Sequence, residues 1–246
     1  MQDFAAFWPA LAAGLIVAAT HVPLGMQVLA RGIVFIDLAV AQMAGLGVVL
    51  AGWFGLEPSG AGMQLSALGP ALAGAVLFTW TEKRWPEVQE AIIGVVFIVA
   101  ANAAILLLAA NPHGAEHLKD LLTGQILWVT PMQAAWAALA SGTVLLLWKK
   151  GRRSRVGFYL LFACAVTVSV QLVGMYLVFA SLVVPALATL RLAQWRLVAG
   201  LVLCAGSYAA GLALSVLTDL PAGPLIVCML GAAGLLAFTL SSRAAA

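Results

Sequence analysis

Apolar runs of about twenty residues recur along the chain, separated by short polar, charged or Gly/Pro-rich breaks. A helix needs about 20 mostly apolar residues to cross a bilayer, so each run predicts a spanning helix. The first is Phe7 to Leu29, followed by Arg31. The second is Ile33 to Phe54, closed by the turn-forming stretch GLEPSGAG. Met63 to Trp80 ends at TEKRWPE, and Val88 to Ala110 ends at the polar loop NPHGAEHLKD. LLTGQILWVT reads as a short element that does not need to span. Pro131 to Trp148 ends at KKGRRSR. Val156 to Leu190 is too long for one ordinary span and short for two, which predicts a break near Gln171–Gly174. Leu197 to Leu217 and Leu225 to Leu240 complete the series. The expectation is an all-α, polytopic bundle of about eight or nine spanning helices. It forms a single transmembrane domain over residues 1–246.

Charge orients this bundle. Arg31, Lys83, Arg84, Lys149, Lys150, Arg152, Arg153, Arg155, Arg191, Arg196 and Arg243 share one side if there are nine spans, leaving Lys119 opposite. Basic loops stay cytoplasmic, so the N-terminus is expected outside and the C-terminus inside. The N-terminal stretch lacks a basic leader region and reads as an uncleaved first span. Composition agrees: 64% of the 246 residues are hydrophobic and 9% charged. A soluble domain has about 25% charged residues, too many for this chain to be one. The net charge of +3 gives no case for nucleic acid. Cys164, Cys204 and Cys228 fall in apolar runs and read as small buried hydrophobes. The 24 glycines suit close helix approach in lipid.

Nucleotide-binding, zinc-cluster and nucleophile-elbow motifs are absent, so the chain reads as no enzyme and as binding no cofactor itself. The polar residues inside the apolar runs carry the chemistry. Asp37 is costly in hydrocarbon and either lines an interior path or sits near the interface, pairing with Arg31 or capping a helix. His21 lies two residues before Pro23, which frees a backbone carbonyl; the imidazole either bonds that carbonyl or handles a metal. Gln42 reads equally as interhelical glue or as a path residue. His113, Glu116, His117 and Asp120 share the polar loop. There a helical turn would put His113 and His117 on one face, suited to zinc or a similar ion, unless the loop is simply solvated. Glu90 is expected at the cytoplasmic interface, and Asn102 bonding across helices. Trp8, Trp53, Trp80, Trp85 and Trp148 read as interfacial anchors. Pro185 to Arg196, PALATLRLAQWR, is either a short interfacial helix that docks a partner or a basic helix end.

Five segments in order resemble the permease subunits of ABC importers for zinc, manganese and iron. They are PLGMQVLARGIVFIDLAVAQMAGLG, EAIIGVVF, HLKDLLTGQILWVT, QLVGMYLVFASLVVPALATLRLA and DLPAGPLIV. The resemblance covers most of the chain. It implies a homodimeric permease in a bacterial inner membrane, passing a divalent metal ion, zinc or manganese foremost. Its partners would be a second permease copy, a cytoplasmic ABC ATPase dimer that supplies ATP hydrolysis, and an extracytoplasmic metal-binding protein. Asp37, His21 and Gln42 would line the path; His113, Glu116 and His117 would meet the metal outside. Pro185, Ala186 and Arg191 would couple to the ATPase. In the family, an aspartate of the second span is usually followed four residues later by histidine. Here Ala41 holds that place and Gln42 comes next. The alternatives are an ATPase-independent cation transporter or channel, and a membrane scaffold.

Overall fold

In the computed structural model, residues 2–55, 60–108, 122–124, 126–151, 154–192 and 194–243 are described. Among them are nine α-helices and no strand. They are α1 Gln2–Arg31, α2 Ile36–Trp53, α3 Gly60–Arg84, α4 Gln89–Leu108, α5 Pro131–Gly151, α6 Arg155–Val173, α7 Met175–Ala188, α8 Arg196–Thr218 and α9 Ala222–Arg243. Single 3₁₀ turns cover Pro86–Val88 and Ile126–Trp128. The helical membrane bundle expected from the apolar runs is therefore present.

Six of these helices are long and apolar enough to cross a membrane: α1, α2, α4, α6, α8 and α9. That is fewer than the eight or nine expected. Helix α7 has 14 residues, which at about 1.5 Å per residue covers about 21 Å, short of a 30 Å hydrocarbon core. Helices α3 and α5 are long, but glycine, alanine, serine and threonine dilute their apolar character. The break in the long run falls at Gly174, within the expected interval. Its φ of 84° and ψ of 161° suit glycine alone.

Local chemistry fixes the helix ends. Before α5, Thr130 and Gln133 cap each other: the Gln133 N–H donates to Thr130 Oγ1 at 3.2 Å, and the Thr130 N–H to Gln133 Oε1 at 2.9 Å. With Pro131 at the first helical position this is a capping box. Ser154 caps α6 by accepting from the Gly157 N–H at 3.0 Å. Helix α8 stops at Asp219, whose φ is 55°, and Pro221 precedes α9.

Helix α1 is central, packing on α5, α6, α7 and α8, while α2 packs on α3, α4 and α6. Helices α7, α8 and α9 pack on one another. At Gly25 the α1 backbone meets α7 directly, since a Cβ there would fall on the Leu182 carbonyl. Pro9 and Pro23 lie within α1 without interrupting it. Trp8, Trp53, Trp80 and Trp85 are exposed as anchors should be, but Trp148 is buried against the Phe158 ring, 5.8 Å between centroids. Cys204 is buried and Cys164 half-buried, whereas Cys228 is exposed on the outer surface of α9. Among the described residues Asn102 does not bond to another helix; its amide donates to the Ile98 carbonyl of α4 at 2.8 Å.

Candidate functional site

The turn between α1 and α2 places the polar residues of the first two helices. Gly32, at φ 70°, reverses the chain after Arg31. Arg31 then meets Glu82 at the end of α3, 3.7 Å apart, and Arg155 at the start of α6 reaches the same carboxylate at 3.6 Å. The Arg31 guanidinium also lies 3.9 Å over the Phe158 ring. The ends of α1 and α3 and the start of α6 thus meet at one face of the bundle. Arg191 stands 5.2 Å over Phe238, tying the ends of α7 and α9 together.

Asp37 is the second residue of α2, near that same basic end, and only 1% exposed. Arg31 pairs with Glu82 instead of with Asp37. Capping does not occupy Asp37 either: Phe35 is the N-cap, and no side chain of its own caps the helix. Glu90 of α4 performs that task from across the interface, accepting the Phe35 N–H at 3.1 Å. Its negative charge suits the positive end of the α2 dipole. Neither oxygen of Asp37 has a hydrogen-bond partner among the described residues. A carboxyl so placed is costly when charged and either keeps its proton or meets a cation.

Gln42 lies about 1.4 turns further along α2. At about 100° per residue it points roughly 140° away from Asp37, whereas Ala41 shares the Asp37 face. Gln42 donates to the Met175 thioether at 3.2 Å. Both line a small cleft with Ala41, Gly45, Ala104, Leu122 and Val170, where α2, α4, α6 and α7 meet. At Gly174, the residue before α7, two backbones meet directly. A Cβ added at Gly174 would strike the Gly124 N–H, and one at Gly124 would strike the backbone of Val173 and Gly174.

His21 is fully buried on α1. Its Nδ1 lies 3.1 Å from the Val17 carbonyl and 3.0 Å from Thr20 Oγ1. The acceptor is the carbonyl one turn before His21 itself and not that of Ala19, which Pro23 frees. Its Nε2 has no partner among the described residues. Asp37 and Gln42 are therefore on different faces of α2, and His21 stands on α1. No three His, Cys, Asp or Glu side chains group to hold a metal among the described residues. His113, Glu116, His117 and Asp120 lie outside the described residues.

The stretch after Pro185 is not a separate interfacial helix. Pro185 and Ala186 are buried inside α7, and residues 189–191 and 194–195 beyond it form turns. Arg196 donates back to the Ala186 carbonyl at 3.2 Å, and Thr189 Oγ1 to that of Pro185 at 2.6 Å. These bonds tie the end of α7 to the turn and to the start of α8. Outward, Leu187 at the end of α7 and then Leu190, Arg191, Leu192, Gln194 and Trp195 of the turn are exposed, the last 71%.

Several residues here carried no clear signal in the sequence. Glu82 sat among the charges of TEKR, and nothing in its spacing named two arginines as partners. Met175 read as one more apolar residue. Ser181 and Tyr208, both fully buried, share a hydrogen bond of 2.9 Å between α7 and α8, and Ser181 donates to the Leu177 carbonyl at 2.7 Å. Gly14 makes room for the Tyr208 ring.

Comparison with known proteins places this arrangement. The family model of the ABC 3 transport family matches residues 3–154 and 150–241. A Chlamydia trachomatis protein described as a probable metal transport system membrane protein is 25% identical over 93% of this chain and 84% of its own length. The structure of PsaBC from Streptococcus pneumoniae in complex with Fab has the same fold, with a TM-score of 0.72 at 20% identity, over 95% of this chain and 89% of that one. An inward-facing metal-chelate type ABC transporter matches with a TM-score of 0.70 at 16% identity, over 96% of this chain and 85% of that one.

Proposed function

Since the chain belongs to the ABC 3 transport family, we propose that it is the membrane subunit of an ATP-driven importer for a divalent transition metal ion, zinc, manganese or iron. The observation that carries this is the family match along nearly the whole chain, joined by a relative described as a metal transport membrane protein. A separate cytoplasmic ATPase dimer drives the cycle, a second copy of the chain completes the permease, and an extracytoplasmic binding protein delivers the ion. The protein is multi-pass in a bacterial inner membrane, its N-terminus outside and its basic end toward the cytoplasm, as the positive-inside bias favours.

Asp37, Gln42 and His21 serve the passage as separate weak contacts. Their separation supports this: a passage must let its ion leave, so dispersed donors suit it better than a closed cage. The unpartnered Asp37 carboxylate attracts the ion near the basic end. His113, Glu116 and His117 receive it outside. Pro185, Ala186 and Arg191 set the turn against which the ATPase docks, and exposed Trp195 and Leu190 supply its apolar contact.

Metal uptake into proteoliposomes tests the assignment. Uptake is expected only when the ATPase and ATP are both supplied. Uptake of equal rate without the ATPase would replace it with a cation channel or secondary transporter. Asp37→Ala is expected to lower uptake several-fold while the ATPase still co-purifies; unchanged uptake would remove Asp37 from the passage.

A further inference from the structure

The amide of Gln42 on α2 donates to the thioether of Met175, the first residue of α7, at 3.2 Å. Met175 is buried and Gln42 half-buried. Every other residue that lines their cleft contributes hydrocarbon, or only the hydrogen of Gly45. Among the described residues, its polar side-chain chemistry is therefore a sulfur, an amide nitrogen and an amide oxygen.

The sulfur decides how the amide lies. A thioether accepts a hydrogen bond and has no proton to give. An amide nitrogen is a donor and an amide oxygen an acceptor. Nitrogen toward sulfur is thus the one attractive arrangement, since oxygen toward sulfur sets two lone-pair atoms against each other. With Nε2 held at Met175, Oε1 is turned away, and it bonds to nothing among the described residues. The backbone keeps the sulfur in place. Met175 follows Gly174, whose backbone meets that of Gly124 directly, and Leu122 of the same segment lines the cleft.

We propose that Met175 is a positioning residue for the passage: its thioether holds the Gln42 amide so that the ion meets oxygen and not N–H. Carbonyl oxygen binds a divalent cation, whereas the positive end of an N–H repels it. Without the sulfur the amide has no reason to prefer one orientation, and nitrogen takes the place of oxygen part of the time. The sulfur acts on the amide and leaves the ion an oxygen contact, the kind that suits manganese better than thiophilic ions. This rests on the passage role of Gln42 put forward above and names what orients it.

The test measures uptake of manganese, zinc and cadmium ions into proteoliposomes holding the full chain, its ATPase and ATP. Met175→Leu keeps the volume and removes the acceptor. It is expected to slow manganese uptake about threefold, the worth of one weak hydrogen bond, and cadmium uptake by no more. A greater loss for cadmium would make the sulfur itself the ligand and overturn the proposal. Gln42→Glu puts oxygen at both positions, so orientation no longer matters. In that background Met175→Leu is expected to leave the manganese rate unchanged. The same threefold loss in both backgrounds would reduce Met175 to packing and overturn the proposal, as would a wild-type rate in Met175→Leu alone. If Gln42→Glu stalls transport, the manganese-to-cadmium ratio of Met175→Leu decides. Unchanged uptake in Gln42→Leu would instead overturn the passage role of Gln42, and no uptake of any of the three ions by the wild type would count against the importer itself.

Discussion

Gly25→Ala adds one methyl group where α1 and α7 touch. That methyl would overlap the Leu182 carbonyl oxygen and stand 2.7 Å from the carbonyl carbon. Ordinary contact is about 3.5 Å, so the helices must part by at least about 0.8 Å. A gap of that size forfeits roughly a quarter to a half of each atom pair's attraction. Leu182 is fully buried. A buried leucine makes about 40–60 such pairs of 0.1–0.2 kcal/mol, so its share of the loss alone is about 2 kcal/mol. Alanine is the better helix former by about 1 kcal/mol, which masks part of this. Gly206→Ala removes that offset as a control, because a Cβ on Gly206 of α8 meets nothing within 4 Å. The two variants therefore differ by about 2 kcal/mol. For a chain of this size, 1 kcal/mol moves the midpoint by about 2–4 °C, so Gly25→Ala is expected to melt about 4–8 °C below Gly206→Ala. Thermal unfolding of both in one detergent measures the difference. Equal midpoints would refute the direct backbone contact between α1 and α7.

Tyr208→Phe removes the bond to Ser181 while keeping the ring, and is expected to cost about 1 kcal/mol in the same melting assay. Glu82→Gln leaves Arg31 and Arg155 without their shared carboxylate; a fall of about 1 kcal/mol or less is expected, because partly exposed pairs are weak. That loss should shrink at high salt, which repeat melts at two ionic strengths would reveal. Arg191→Glu should release the turn from Phe238 and weaken ATPase docking, read by co-purification, while Lys150→Glu, also exposed, should not.

The helical bundle was legible because apolar length and basic loops carry one-dimensional signals. Even the break at Gly174 announced itself, since the run before Arg191 was too long for one helix. Span count was less legible, because α7 is apolar throughout and only its length, visible once Gly174 ends α6, prevents it from crossing. For Asp37 the sequence posed the right question, but its answer depended on tertiary partners. Arg31, six residues earlier, turned to Glu82, and the helix start went to Glu90. Likewise Trp148 sits at a span end, as an anchor should, yet the bundle folds it inward against Phe158. The Gln42–Met175 contact joins residues far apart in the chain, and no local pattern could announce it.

Gly124 and Gly174 meet with no side chain between them. Most joints between helices yield gradually, because rotamers shift to follow a moving neighbour. This joint has no rotamers to shift. It is made or it is parted, with little in between, so a rearrangement that separates the 122–124 segment from the α6–α7 break would proceed as a step and not as a drift.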